Sequence, residues 1–236
     1  MRRVLLVVSA AGLFAVLAGA NASAAGAAVT VGSTFTPVQT FGGAGTFLQS
    51  GSPAGDSYTV PANGVLTSWS FEAAAGITPP LKLKVLRPAG GDDFTTVGDS
   101  QQETPTGGML NTWPTRISVQ AGDVLGQAYS NSTMSYRTAS GYSTEETGAP
   151  PDPPPGTRVT YEPGSNHQID VSAVLEPDAD HDGFGDETQD QCPTNGSTHG
   201  PCPATGQRAA ALKKCKKKHS AHARKKCRKK AKLLPL

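Results

Sequence analysis

The strongest constraint on the fold is the alternation of apolar and polar side chains in two short stretches. Residues 81–87 alternate apolar with basic side chains almost perfectly, and residues 65–71 place Val65, Thr67, Trp69 and Phe71 on one face. A period of two is typical of a strand with one buried face. Seven other segments have strand-like composition: 57–60, 94–97, 116–119, 124–129, 134–138, 158–161 and 167–175.

Turn-forming sequences separate these segments, at 61–64, 88–91, 121–123 and 163–165. Each contains glycine, and most contain proline, asparagine or aspartate, which favour turn conformations. No helix-period segment of useful length occurs in this region. The pattern predicts a mainly β fold, an antiparallel and jelly-roll-like β-sandwich over residues 25–176.

Two stretches interrupt the strand pattern. Residues 42–55 are rich in glycine and serine and are predicted to form a loop. Residues 149–156 contain five prolines and are predicted to be a stiff, exposed polyproline-like excursion between strands.

The N-terminus has the pattern of an export signal. Arg2 and Arg3 precede an almost wholly apolar run at 4–20, and small residues at 22–24 suit cleavage after Ala24. The alternative cleavage site is 18–20, and a retained anchor is a second alternative, although the run is short for a membrane span. We therefore expect a signal peptide at 1–24 and a secreted, extracellular or cell-wall-associated protein.

An acidic segment follows the strand-like region. Six carboxylates fall within residues 178–190, and Asp178, Asp180 and Asp182 alternate directly before Gly183. Alternate residues of a curled loop point inward, and Gly183 permits a sharp turn that presents the carbonyl of Phe184. Calcium takes six to eight oxygen ligands from such loops. The spacing therefore predicts a Ca²⁺ site.

This segment resembles a thrombospondin type 3 repeat, whose pattern is D-x-D-x-D-G-x-x-D-x-x-D-x-C-P. Asp178, Asp180, Asp182, Gly183, Asp186 and Cys192-Pro193 match it, over about sixteen of 236 residues. Gln189 stands where the family has its twelfth-position Asp, so the last ligand is either Asp190 or Glu187. The resemblance implies calcium binding and a link to adhesion or matrix structure, with 177–206 as a connector.

All four cysteines lie near the C-terminus: Cys192, Cys202, Cys215 and Cys227. In an exported protein an even number favours full pairing, with three connectivities open. Pairing of neighbours, which closes the smallest loops, is the preferred alternative.

Charge is divided sharply along the chain. Residues 25–206 carry a net charge of −13, whereas 207–236 contain thirteen lysines and arginines and no acid. This basic tail is rich in helix-forming residues. One straight helix would hold Cys215 and Cys227 about 18 Å apart, so pairing would require a hairpin folded near 219–220, whereas unpaired cysteines would favour a disordered arm.

The tail also predicts a partner. A cationic arm favours an anionic cell-wall polymer or lipid surface. No aromatic residue is interleaved with the lysines, so specific nucleic-acid binding is not expected.

No catalytic motif is present, and none of Glu72, Glu103 and Glu162 is singled out as a catalytic carboxylate. We expect a non-enzymatic, calcium-binding structural or adhesion-type protein. The alternative is a glycan-binding module or polysaccharide-acting enzyme. Trp113, in a loop-like context before Pro114, could offer an exposed ring for sugar stacking, whereas Trp69 is predicted to be core.

Overall fold

The computed structural model describes residues 26–78, 80–203 and 206–232, without the side chains of 130–133 and 165. The predicted class, a mainly β antiparallel sandwich, is confirmed. The predicted signal peptide at 1–24 lies outside the described residues. The elements are β1 Val29–Ser33, β2 Gln39–Gly51, β3 Gly64–Glu72, β4 Leu81–Pro88, β5 Asp93–Asp99, β6 Leu110–Val119, β7 Val124–Thr147, β8 Arg158–Thr160, β9 Glu162–Ile169, β10 Val171–Glu176, α1 Gln207–Lys216 and α2 Ala221–Ala231.

The strands form two sheets. One has four strands in the order β1-β10-β3-β6, and the other has six, in the order β2-β7-β4-β5-β8 with β9 added on β7. The main core contains the inward residues of both, including Trp69 and Phe71 of β3 and Leu83 and Val85 of β4. The alternation seen in the sequence therefore places these side chains between the sheets.

A second, smaller cluster lies on the opposite face of the six-stranded sheet. Leu86 follows Val85 on β4, so it points to the other side, where Leu48, Phe94, Val124 and Tyr161 surround it. The proline-rich segment reaches this face. Asp152 and the Pro153 carbonyl lie 2.8 and 2.9 Å from Nζ of Lys84, which is fully buried.

The expectation that the proline-rich segment is exposed is wrong at Pro153, which is buried. Asp99 also accepts from Lys84, at 3.2 Å, and Lys82 bridges to both Asp99 and Asp152. Two lysines and two aspartates thus fasten the segment to the sheet. Burial of a charged amine is tolerated here because it has three oxygen partners.

Three other local predictions also fail. The predicted loop at 42–55 is largely β2, in which Thr46 pairs with both Ala128 and Thr147. Gly126 permits the close approach of β7 to β2, since a Cβ at this position would lie 2.5 Å from the Phe47 carbonyl. The predicted turn at 163–165 lies inside β9, and within the predicted strand 57–60 only Thr59 forms a bridge.

The tryptophans pack against each other. Trp69 is buried in the core, as predicted, and Trp113 on the neighbouring β6 lies over it with ring centroids 4.6 Å apart. The suggestion that Trp113 sits exposed in a loop is wrong, because β6 begins at Leu110 and carries the ring against the core. Tyr58, Tyr129 and Tyr161 are also buried.

The basic tail forms a helical hairpin. Disulfides join Cys192 to Cys202 and Cys215 to Cys227, which is the pairing of neighbours. The chain turns back between α1 and α2, where Ser220 caps α2 by accepting from the Ala223 N–H. No helix in the described part of the chain is long and apolar enough to cross a membrane.

Candidate metal centre

The acidic loop curls directly after β10. His181 and Gly183 both adopt positive φ angles, of 61° and 84°, which turn the chain sharply. The carboxylate of Asp178 accepts from the N–H groups of Asp182 and Gly183, each at 3.0 Å. The loop is therefore closed on itself by its own first acidic residue.

Three carboxylates converge inside this curl. Asp178, Asp180 and Asp182 each offer an oxygen, and these oxygens lie within 4.8 Å of one another. Both carboxylate oxygens of Asp180 are buried, and neither has a hydrogen-bond partner among the described residues. A buried carboxylate without a partner costs several kcal/mol, roughly, unless a cation neutralises it. The cluster could therefore hold a metal ion.

Asp186 and Asp190 lie next to this cluster. Both oxygens of Asp186 accept from the Ala179 N–H at 3.2 Å. Burial raises the pKa of Asp186, and the negative charges of Asp178, Asp180 and Asp190 raise it further. The hydrogen bond from the Ala179 N–H lowers this pKa, but only in part. The two carboxylates are thus close enough to interact with the cluster, although they do not belong to the converging set of three.

The two candidates for the last ligand lie in different surroundings. Asp190 is buried, with Oδ1 accepting from the Cys192 N–H at 2.7 Å and Oδ2 without a partner in the described residues. Glu187 is exposed, and its Oε1 accepts from the Ala28 N–H at 2.7 Å. Glu187 is thus engaged with the chain ahead of β1, whereas Asp190 retains a buried free oxygen.

Solvent can reach the cluster through a cleft. Asp178, His181 and Asp182 line a cavity of about 450 Å³ together with Arg87. Arg87 is paired with Asp123 through two hydrogen bonds of 2.7 and 2.9 Å. An ion can therefore approach two of the three aspartates directly, and the nearby guanidinium is already neutralised.

Glu176 fastens the loop to the sandwich, a role that sequence reasoning missed. This buried residue ends β10, and its carboxylate accepts from the hydroxyls of Thr67 and Thr188 and from the N–H groups of Glu187 and Thr188, at 2.7–3.0 Å. Burial raises its pKa, but the hydrogen bonds from Thr188, Thr67 and Glu187 outweigh burial and hold it below the usual value. Gly185 leaves room, since a Cβ there would lie 2.5 Å from Oε2.

Phe184 provides a second attachment. Its ring lies 4.0 Å from that of His199, nearly parallel, and 4.1 Å from the guanidinium carbon of Arg116 on β6. His199 belongs to the segment closed by the Cys192–Cys202 disulfide. The same segment lies against the cluster, because a Cβ on Gly196 would be 2.9 Å from the Asp180 carbonyl. The loop is therefore held between the sandwich and the bridged segment.

The chain matches no protein-family model, curated protein or solved structure. The disulfides nevertheless indicate an oxidising, extracellular type of environment. What the fold and the site define is an antiparallel β-sandwich with an acidic loop docked on its four-stranded sheet.

Proposed function

We propose that the loop binds one calcium ion and that it is a repeat of the thrombospondin type 3 kind. The observation that carries the proposal is the convergence of three carboxylates around Asp180, whose buried oxygens have no partner in the described residues. All the candidate ligands are oxygens, which favours a hard cation. Asp186, Asp190 and the Phe184 carbonyl are proposed to complete the shell.

Calcium fits this loop better than magnesium. Magnesium requires near-ideal octahedral geometry and usually keeps several waters, whereas calcium accepts more ligands in flexible arrangements. A curled loop with up to five nearby carboxylates supplies many oxygens at irregular angles. We expect a dissociation constant of about 10⁻⁴–10⁻³ M, the range of extracellular modules.

Calorimetric titration of the full chain with calcium tests the proposal. The wild type should show one site, and Asp180→Asn should abolish it. Asp92→Asn is the matched control, because it removes one exposed negative charge from the turn between β4 and β5. Equal affinity of the wild type and Asp180→Asn would refute the site. Tighter binding of magnesium than of calcium would refute the assignment of the ion.

We further propose that the protein is a secreted, non-enzymatic structural or adhesion-type protein held on an anionic surface. The cationic hairpin of α1 and α2 supports this part, because charges of one sign increase affinity for anionic polymers and lipids in a salt-dependent way. Deleting residues 207–236 should release the protein from anionic vesicles or wall preparations, and high salt should release the intact chain. Retention of the truncated protein would contradict this role.

The alternative, a glycan-binding or polysaccharide-acting protein, has less support. Sugar stacking needs exposed aromatic faces, and the candidate Trp113 does not offer one because it packs on Trp69. Trp69, Tyr58 and Tyr161 are buried, and Phe41 is the large aromatic side chain that stays exposed among the described residues. Binding of the full chain on a glycan array, with calcium and with chelator, would discriminate between the two.

A further inference from the structure

A cleft separate from the metal loop lies on the six-stranded sheet, and we call it the Phe41 cleft. It has a volume of about 470 Å³ and is lined chiefly by residues of β2, β7 and β9 and the segment after β7. Ligand sites commonly have volumes of about 300–1,000 Å³. The Phe41 cleft is therefore large enough for a small molecule or a single side chain.

Aromatic rings form one wall of the cleft. Phe41 meets Phe47 edge to face, with ring centroids 5.7 Å apart, and Phe47 stacks on Tyr129 at the same distance. Phe47 and Tyr129 are buried, but Phe41 is 46% exposed. The faces of such rings carry negative potential and attract cations.

Two carboxylates lie beside the rings, since Glu146 is a direct ladder partner of Phe47. Glu146 of β7 and Glu162 of β9 are direct partners in the antiparallel ladder between these strands, and both line the cleft. Directly opposed residues have Cβ atoms about 4.5–5.5 Å apart, and like charges in this position are destabilising. Neither carboxylate makes a hydrogen bond or ion pair within the described residues, although both are exposed to solvent.

No permanent cation lies at this pair among the described residues that line the cleft, which include no lysine, arginine or histidine. His167 lines a smaller adjoining cavity with Phe41 and Glu146. Burial raises the pKa of Tyr129, and the negative charge of Glu146 raises it further, so Glu146 and the Tyr129 hydroxyl lie close enough to interact. The cleft therefore joins negative charge with negative ring faces.

We propose that the Phe41 cleft binds an organic ammonium ion, a primary or quaternary amine whose charge sits between Glu146 and Glu162 and against the ring of Phe41. A hard metal ion fits less well, since it requires six or more oxygen ligands and the rings of Phe41 and Phe47 supply none. A neutral sugar would leave the two opposed carboxylates without a counter-charge. This site is independent of the calcium loop and does not rest on it.

Ligand-observed NMR of the full chain in saturating calcium provides the test. Choline is the quaternary probe, 1,5-diaminopentane is the primary one, and 3,3-dimethyl-1-butanol is the uncharged analogue of choline. The N-methyl signal of choline should move upfield as protein is added, because ring currents shield protons over an aromatic face. The uncharged alcohol should bind at least about tenfold more weakly, since cation–π attraction is lost.

Two variants locate the site. Phe41→Ala removes the exposed ring, and the double substitution Glu146→Gln with Glu162→Gln removes both charges while relieving their repulsion. Each should weaken choline binding by about three- to tenfold. Leu110→Ala is the control for the first, because it removes an exposed apolar side chain from the other sheet.

Three outcomes would overturn the proposal. The first is the absence of any shift for both amines up to tens of millimolar. The second is equal binding of choline and its uncharged analogue, which would indicate a merely apolar cleft. The third is binding that both variants leave unchanged, which would place the amine elsewhere on the acidic body. The double variant should unfold at the same or a higher temperature than the wild type, so a loss of binding there is not a loss of fold.

Discussion

Replacing Glu176 should separate the acidic loop from the sandwich. Its buried carboxylate receives four hydrogen bonds, two from the hydroxyls of Thr67 and Thr188 and two from the N–H groups of Glu187 and Thr188. Thr67 belongs to β3, so the carboxylate links the body and the loop through one side chain. Two substitutions, Glu176→Gln and Glu176→Ala, test different parts of this arrangement.

Glutamine retains part of the network. Its amide oxygen can accept the two N–H groups, and its NH₂ group can donate to the two hydroxyls, which rotate to accept. Glutamine lacks the negative charge of glutamate. A hydrogen bond to a charged acceptor contributes about 2 kcal/mol, compared with about 1 kcal/mol for a neutral one. Because removing the charge also removes a desolvation cost, we expect a net loss of about 2 kcal/mol in the free energy of unfolding.

Alanine leaves all four donors without their acceptor and creates a cavity beside Gly185. Each buried, unsatisfied donor costs about 1–3 kcal/mol, but water can reach some of them once the side chain is gone. We expect a loss of about 4 kcal/mol. Urea unfolding at neutral pH measures both values, with Glu103→Gln as the control outside this network.

Limited proteolysis then tells where the loss occurs. In Glu176→Ala, cleavage should appear within 177–206 before the sandwich is cut, and calcium should protect this region less than in the wild type. The reasoning is wrong if alanine and glutamine are equally stable, or if the loop of either variant resists cleavage as well as that of the wild type.

Three further predictions concern other parts of the chain. Burial raises the pKa of Asp170 to about 8, so the free energy of unfolding should fall as pH rises from about 4 to about 8. Asp170→Asn should remove this pH dependence and increase the free energy of unfolding by up to about 5 kcal/mol at pH 8, as measured by urea unfolding. An unchanged pH dependence in the variant would contradict the prediction. Lys84→Ala should lower the free energy of unfolding by about 3 kcal/mol and expose residues 149–157 to protease. Lys84→Met keeps the side-chain volume and should lower it less. Equal losses in the two variants would show that packing at residue 84 does not contribute. Replacing Cys215 and Cys227 by serine should reduce the helical circular dichroism signal, since a short disulfide loop contributes about 3 kcal/mol to the stability of the hairpin. Salt-sensitive binding to anionic vesicles should weaken only slightly. Loss of binding at low salt would indicate a folded binding face.

The sequence predicted the strands whose side chains alternate. In β3 and β4 the buried residues Trp69, Phe71, Leu83 and Val85 follow a period of two, which is visible without any partner. Strand β2 escaped prediction because its glycines and serines have no amphipathic pattern. It forms because β7 supplies partners on both sides of Thr46, and a single sequence does not show such pairing.

The same division holds for the candidate site. The aspartates that converge are neighbours in sequence, so their spacing was sufficient to predict the cluster. The residues that hold the loop in place come from distant strands: Thr67 lies 109 positions from Glu176 along the chain, and Arg116 of β6 meets Phe184. Long-range contacts of this kind have no local signature. The opposed pair of Glu146 and Glu162 likewise appears only when the register of β7 and β9 is known.

The closure of the acidic loop by Asp178 also determines how this protein would respond to the proposed calcium ion. The N–H groups of Asp182 and Gly183 already hold the curl, and Phe184 and Glu176 hold it against the sheet. Much of the conformational entropy of the loop is therefore lost when the body folds, so an arriving ion has little left to rearrange. Circular dichroism and hydrodynamic radius should then be nearly the same with and without calcium. The ion would instead raise the free energy of unfolding logarithmically with its concentration, by RT ln(1 + [Ca²⁺]/Kd). Under the proposed calcium binding, the ion would increase resistance to unfolding without changing the shape of the protein.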